Sequence, residues 1–348
     1  MRNKPVGATV YGIDLGKNTF HVVGTDSSGR PIQRVTLGRN TLFTFFANAQ
    51  AALIGMEACP GSQWLARKLE ALGHTVRIIP AQFVKPYVKS NKNDITDAAA
   101  IAEAVTRPTM RFVKAKSTEQ VELQTMHRIR DRLVGTKTQL INQIRAFLLE
   151  FGIALRSGPA AIKAELPKAL ADESNDLTPC MRSILSTLST ELTLLEERIG
   201  QSTKEIEAVA RSSDLAMRLA SIPGVGLLTA TAILSAVGSG KQFHKARDMA
   251  AWIGLVPAQH STGGKPTLLG ISKRGNPYVR RLLIHGARAC VMHLDRTTDR
   301  LGAWIKTLQE RMHINKVVVA VANKLARVAW VILNHSGALY LRQRGETT

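Results

Sequence analysis

The spacing of apolar residues changes twice along the chain. Over the first hundred residues they fall in short, partly alternating runs. ATVYGIDLG, TFHVVGTD and PIQRVTLG, the last two joined by the turn DSSGR, predict a three-strand meander. NTLFTFFANAQ predicts a short helix, AALIGMEA a buried strand and GSQWLARKLEALG an amphipathic helix stopped at Gly73. HTVRIIPA then predicts another strand, and NDITDAAAIAEAVTR an alanine-rich helix that closes the unit. Three strands, a helix, a strand, a helix and a strand form the order of a layered α/β domain, assigned here to residues 1–116.

From residue 117 to 212 the period becomes helical. Leu185, Leu188, Leu192, Leu195, Ile199, Ile206 and Val209 follow a heptad-like seam that Ser202 interrupts, which predicts a helical hairpin or coiled coil suited to self-association or to holding a partner. Between the two helical blocks, GIALRSGPAAIKAELPKALADESNDLTP has prolines and scattered charge and predicts a loop or short-helix insertion. The remainder, 213–348, opens with the turn IPGVG between apolar helical segments. It continues through KQFHKARDMAAWIGL and ends in three helical stretches, NPYVRRLLIHGARACVMHL, RLGAWIKTLQERM and INKVVVAVANKLARVAWVILN. Between these lies QHSTGGKPTLLGISKRG, too glycine-rich for a helix and too cationic for a core, and therefore expected to be a loop. Trp252, Trp304 and Trp330 sit in apolar helical patterns and are expected in the core. The fold class is thus α/β followed by all-α.

Charge narrows the partner. The 348 residues include 47 Lys+Arg against 26 Asp+Glu, a formal net charge of +21, and residues 255–348 hold 15 Lys/Arg against 4 Asp/Glu. Such a balance points to a polyanion. No apolar run approaches the roughly 20 residues that span a bilayer, and the N-terminus enters a strand pattern without a signal-peptide core. A cytoplasmic, nucleoid-associated protein with no membrane partner is expected. Cys59, Cys180 and Cys290 are too far apart in sequence for a zinc motif and read as reduced thiols.

Acidic residues are sparse at the start: Asp14, Asp26, Glu57, Glu70, Asp94 and Asp97 are all that residues 1–97 contain. Asp14 lies inside a strand signal, Glu57 ends an apolar strand, and Asp94 and Asp97 are one helical turn apart at a helix start. Strands gather distant carboxylates and an i,i+3 pair shares a helix face. Gathered carboxylates repel unless a hard cation neutralises them, and oxygen ligands select Mg²⁺ or Mn²⁺, the ions of phosphoryl transfer. Each residue alone also has a plainer reading: Asp94 as an N-cap, Asp97 as a dipole partner, Asp14 as an edge charge, Glu57 as a turn cap. GIDLGKNTF resembles the opening of actin-like ATPases too, but the second phosphate loop and the adenosine segment that those folds need do not follow.

YGIDLGK, IGMEACPG and KSNKNDITDAAAIAE, in that order, resemble the DEDD tetrad of insertion-sequence transposases with a RuvC-like, RNase H-fold N-terminal domain, relatives of the Piv-type DNA invertases. SIPGVGLLTA, ARDMAAWIGLVP and STGGKPTLLGISKRG are similar to that family's C-terminal transposase domain, so the resemblance spans nearly the whole chain. It implies that Asp14, Glu57, Asp94 and Asp97 hold Mg²⁺ (or Mn²⁺). It further implies DNA strand exchange guided by a structured non-coding (bridge) RNA that pairs with donor and target duplexes, and a homodimer or homotetramer.

Two segments of the C-terminal part carry alternatives. IPGVG resembles a helix-hairpin-helix turn whose glycines, Gly224 and Gly226, let backbone N–H groups approach phosphate; an ordinary helical corner fits equally well. In QHSTGGKPTLLGISKRG, residue chemistry alone favours a phosphate cradle made by Ser261, Thr262, Gly263 and Gly264. The family resemblance implies instead a catalytic serine at this place. Counting from WIGLVP points to Thr262 and counting back from ISKRG points to Ser261; Ser261 is preferred because the methyl of Thr262 crowds an in-line attack. Lys265, Lys273, Arg274, Arg280 and Arg281 are expected to neutralise nearby phosphates. His260, a lone histidine beside a turn, is left outside the catalytic set.

Overall fold

The computed structural model describes residues 4–88, 93–297 and 299–341, and the chain divides into two compact units, Met1–Ser117 and Thr118–Thr348. In the first, β1 (Val10–Leu15), β2 (Thr19–Thr25) and β3 (Pro31–Gly38) form the meander. They are followed by α1 (Arg39–Ala47), β4 (Leu53–Glu57), α2 (Ser62–Ala71), β5 (Thr75–Ile79), α3 (Ala81–Val84) and α4 (Asp94–Ala104). The sheet order is β3-β2-β1-β4-β5. Short turns make β1, β2 and β3 antiparallel, whereas the helical crossovers α1 and α2 return the chain so that β4 and β5 run parallel to β1. This mixed α/β layering is consistent with the RNase H-like domain expected.

Strand alternation divides the side chains of the central pair between two layers. Tyr11, Ile13, Ile54 and Met56 pack with Phe45, Phe46, Leu65 and Leu69 of α1 and α2, and Tyr11 meets Phe45 and Phe46 edge-on at 5.9 and 5.3 Å between centroids. The other face carries Gly12 and Gly55, neighbours in register. A Cβ on Gly12 would lie 2.1 Å from the Ala98 carbonyl oxygen, and one on Gly55 would lie 2.8 Å from Val105 Cβ. Absence of side chains at these two positions is what lets α4 lie directly on the sheet.

The second unit begins with α5 (Thr118–Leu149), α6 (Pro159–Ala171) and α7 (Pro179–Arg211). Arg130 Nε donates to Thr203 Oγ1 at 2.8 Å and Lys137 Nζ to Glu196 Oε1 at 2.7 Å, pairs that fix α5 and α7 as antiparallel. Leu133, Leu140, Ile144 and Leu148 pack with Leu185, Leu192 and Leu195. The expected seam holds as far as Ile206, but Val209 is 40% exposed and Ala210 is buried in its place. Ser202, Ile206 and Ala210 form one i, i+4 stripe, so the buried face follows the drift of a straight helix rather than a strict heptad. The proline-bearing insertion contains α6, with Pro167 inside it.

The bundle continues with α8 (Asp214–Ala220), α9 (Leu227–Val237), α10 (Ala246–Ile253), strands β6 (Pro257–Thr262) and β7 (Lys265–Ile271), α11 (Pro277–His293), α12 (Arg300–Gln309) and α13 (Ile314–Asn334). Residues 257–271 are therefore a β-hairpin rather than the loop expected. α13 corrects a second expectation. By length and composition it is apolar enough to cross a membrane, although half of its apolar window is buried. Val317, Val321, Leu325 and Ala329 place it in the core of this unit. Trp252, expected inside, is 38% exposed, with its ring 5.7 Å from that of Phe243.

Candidate active site

Asp14 and Glu57 stand at the C-terminal ends of the adjacent parallel strands β1 and β4. They lie two residues beyond Gly12 and Gly55 and thus on the same face as those glycines. Helix α4 then supplies both other acids. Asp94, Ala98 and Ala102 form one i, i+4 stripe, and Ala98 and Ala102 are the residues that Gly12 touches; Asp97, Ile101 and Val105 form the next stripe, and Ile101 and Val105 are those that Gly55 touches. Two strand residues advance about 6.6 Å and four helical residues about 6 Å. The glycine contacts therefore bring Asp94 to the level of Asp14 and Asp97 to the level of Glu57.

The entry to α4 is fixed by Asn93, whose side chain accepts from Ile95 N at 3.0 Å. Asn93, rather than Asp94, is thus the N-cap. Asp94 and Asp97 remain in the first turn, where the helix dipole favours anions.

Among the described residues, Lys85 opposes the charge on Glu57 and His21 that on Asp14, but the carboxylates and burial outweigh them. Burial first, then the carboxylates of Asp94 and Asp97, push Asp14 above the ordinary aspartate range, with His21 opposing. Burial, then Asp14 and Asp97, push Glu57 up. The Cys59 thiol is raised by burial and by Glu57 and Asp14. Asp14 and Glu57, raised by burial and by the neighbouring carboxylates, fit a divalent cation, which would remove the repulsion.

One member escaped the sequence reading. His21 on β2 pairs in register with Asp14, and its Nδ1 lies 4.0 Å from Asp14 Oδ2 and 3.6 Å from Asp94 Oδ2. These three side chains can present one ligand atom each within 4.8 Å of one another. The signal was a single polar residue in the run TFHVVGT, on the strand that folds back beside Asp14.

Ser261 and Thr262 lie in the other unit, at the tip of the β6–β7 hairpin. Gly263 and Gly264 have φ of +58° and +76°, the left-handed pair that a two-residue type I′ turn requires, and Thr262 pairs with Lys265 across it. Ser261 is exposed and its Oγ accepts from Gln259 Nε2 at 2.7 Å. Alternation sends the two hydroxyls to opposite faces: Ser261 with Gln259, Pro266 and Leu268, Thr262 with His260, Lys265 and Thr267. A phosphate on one face meets one of them. Ser272, the last hydroxyl of the segment, has its Oγ buried.

The remaining expected contacts fall into two groups. Lys265, Lys273 and Arg274 are exposed, and Lys273 is held in the left-handed region at φ +53° by the fold-back of Ser272 N onto Val256 O and Lys273 N onto Gly254 O. Arg280 and Arg281 are already engaged. Arg280 Nη1 donates to the carbonyls of Ile253 and Arg274 at 2.8 and 2.7 Å, while Arg281 pairs with Asp131 and lies over the Tyr278 ring. Within IPGVG, Gly224 has φ +77°, and a Cβ there would strike the Gly286 carbonyl of α11, a packing requirement. Gly226 is exposed and is the N-cap of α9.

Comparison with known proteins gives matches over most of the chain. The model described as Transposase IS116/IS110/IS902 family matches residues 216–301, and a second, the DEDD transposase model of IS110, matches residues 11–153. The chain is 45% identical to the transposase for insertion sequence element IS1111A of Coxiella burnetii, over 93% of this chain and 89% of the relative. It is 46% identical to a probable family 20 transposase of Pseudomonas aeruginosa, over 93% and 96%. At 24% identity it aligns with the pilin gene-inverting protein of Moraxella bovis, over 94% and 96%.

Proposed function

The chain belongs to the IS110-type family of insertion-sequence transposases, and from that premise we propose that it cuts and rejoins DNA through Ser261 together with the acids Asp14, Glu57, Asp94 and Asp97. What supports this reading is that the ends of β1 and β4 and the first turn of α4 carry acids close enough for the charges of Asp14, Asp94 and Asp97 to raise Asp14 and Glu57.

In the proposed reaction the Ser261 Oγ forms a bond to phosphorus as the bond from phosphorus to one deoxyribose oxygen breaks. The serine proton ends on that leaving oxygen. The phosphoserine ester conserves the energy of the broken bond, so attack by a new deoxyribose hydroxyl rejoins the strand and returns the proton. Mg²⁺ or Mn²⁺ held by the four acids would supply positive charge against the charge that builds on the phosphate oxygens. Lys265, Lys273 and Arg274 flank the serine and would hold the DNA backbone without reading its bases; Gly226, Gly263 and Gly264 offer backbone N–H groups of the same use. Thr262 is the fallback nucleophile. Donor and target choice is assigned to a structured guide RNA, which the charge of +21 and the low aromatic content suit, because they favour duplex backbones over stacked single strands. A homodimer or homotetramer is the proposed acting form.

Incubation with Mg²⁺, guide RNA and labelled donor and target DNA, followed by denaturation, tests this. Protein-linked DNA that disappears in Ser261→Ala and in Asp14→Ala is expected. Cleavage that persists in Ser261→Ala and Thr262→Ala would leave a water-using nuclease. Binding without cleavage would leave a scaffold.

A further inference from the structure

We propose that His21 is a ligand of the cation at the acidic site, adding a nitrogen donor to a set otherwise made of carboxylates. The inference rests on the reading of Asp14, Glu57, Asp94 and Asp97 as a cation site.

Geometry carries it. His21 lies directly across the β1–β2 hairpin from Asp14, on the face covered by α4, and Nδ1 is the ring atom that approaches the acids. At 3.6 Å from Asp94 Oδ2 and 4.0 Å from Asp14 Oδ2, Nδ1 is beyond hydrogen-bond reach of either. Around one ion with metal–ligand distances of about 2.1 Å, cis ligands lie about 3.0 Å apart and trans ligands about 4.2 Å apart. Both separations lie between these two values, so small side-chain shifts would bring Nδ1 and the two carboxylate oxygens onto one ion. The spacing is too long for an imidazole bonded to a carboxylate and within reach of a shared ion.

The donor type has a consequence. Mg²⁺ favours oxygen and gains little from imidazole, whereas first-row transition ions gain from it. His21 thus tilts the site toward Mn²⁺, and the ratio of Mn²⁺ to Mg²⁺ affinity is the property it sets.

The test is pulsed electron paramagnetic resonance on the full-length protein loaded with Mn²⁺, unlabelled and with ¹⁵N-histidine, alongside His21→Gln and Asp14→Asn. Expected are an imidazole ¹⁴N coupling that becomes a ¹⁵N coupling on labelling and vanishes in His21→Gln, and a drop of about tenfold in the Mn²⁺-to-Mg²⁺ affinity ratio in that variant. Because the labelled wild type reports the ligand without any substitution, a folding defect in His21→Gln does not blunt the test. Mn²⁺ that binds, is lost in Asp14→Asn and shows no imidazole coupling would overturn the role of His21 and leave the acidic site standing. Coupling that persists in His21→Gln would also overturn it. Absence of Mn²⁺ binding in the wild type would overturn both readings.

Discussion

The two candidate catalytic regions are built in opposite ways. The acidic cluster is seated by buried backbone: Gly12 and Gly55 bring α4 against the sheet, and strand ends and helix turn then place the acids with little freedom. The serine hairpin is exposed along nearly its whole length, with Leu268 and Leu269 at 67% and 56% exposure, and few side-chain contacts hold its tip. A two-stranded hairpin is marginal by itself. Preorganisation therefore differs: charge is fixed in advance in one unit, while the proposed nucleophile sits on an element that bound DNA can order.

The largest effect is expected from Gly12→Val. The new side chain must displace Ala98 and Ala102, so α4 lifts and takes Asp94 and Asp97 with it; overpacking costs of about 1–3 kcal/mol are ordinary and backbone contact makes this a severe case. Strand cleavage is expected to fall at least a hundredfold with all four acids and Ser261 intact, measured by single-turnover assay. Thr262→Val at the hairpin tip, by contrast, should cost less than a few fold.

The next effect lies in the helical unit. His127 is buried; Thr231 Oγ1 donates to Leu227 O and so accepts from His127 Nε2, which leaves Nδ1 to accept from the Tyr278 hydroxyl. Burial, then Arg130, lowers the imidazole to about 4. The unfolded chain takes up a proton near pH 6.5 that the folded chain refuses. The stability of this unit is therefore full above about pH 6.5 and falls as pH drops toward 4, by on the order of 3 kcal/mol. Urea unfolding across that range checks it, and His127→Gln should flatten the slope.

A smaller effect belongs to the acids. Asp14 and Glu57 have raised proton affinities, so in the cation-free protein their ionisation destabilises the first unit as pH rises through and above the ordinary carboxylate range. A bound divalent cation cancels that loss. The rise in Tm on adding Mg²⁺ or Mn²⁺ should be larger at pH 8 than at pH 5, and Asp14→Asn should raise the cation-free Tm while abolishing the rise. Smallest is Lys265→Ala: if Lys265 neutralises one phosphate, the slope of log affinity against log salt should shrink by about 0.9, with equal weakening on all sequences.

Much of the first unit was legible because strands, turns and one alanine-rich helix each announced themselves, and because carboxylates at strand ends stand out in a basic chain. His21 was legible in principle: the turn after Leu15 sets the register that puts it opposite Asp14, but one histidine in an apolar run reads as core. The hairpin at 257–271 is hard to read from sequence because Gly263 and Gly264 suit an irregular loop as well as the two left-handed positions of a tight turn. Arg280 and Arg281 looked free because their partners, Ile253, Arg274 and Asp131, are remote or ordinary in sequence. α13 was underestimated as an apolar segment because Lys316, Lys324 and Arg327 punctuate it.

The hydroxyl of Ser261 is proposed to make the bond to DNA. Mass spectrometry of the protease-digested, denatured reaction mixture addresses it directly, since the linked nucleotide marks one side chain in the segment around residues 259–265. A nucleotide on Ser261 in wild-type protein and none in Asp14→Asn is the expected result. A nucleotide on Thr262, or cleaved DNA ends free of any peptide, would rule out Ser261 as the nucleophile.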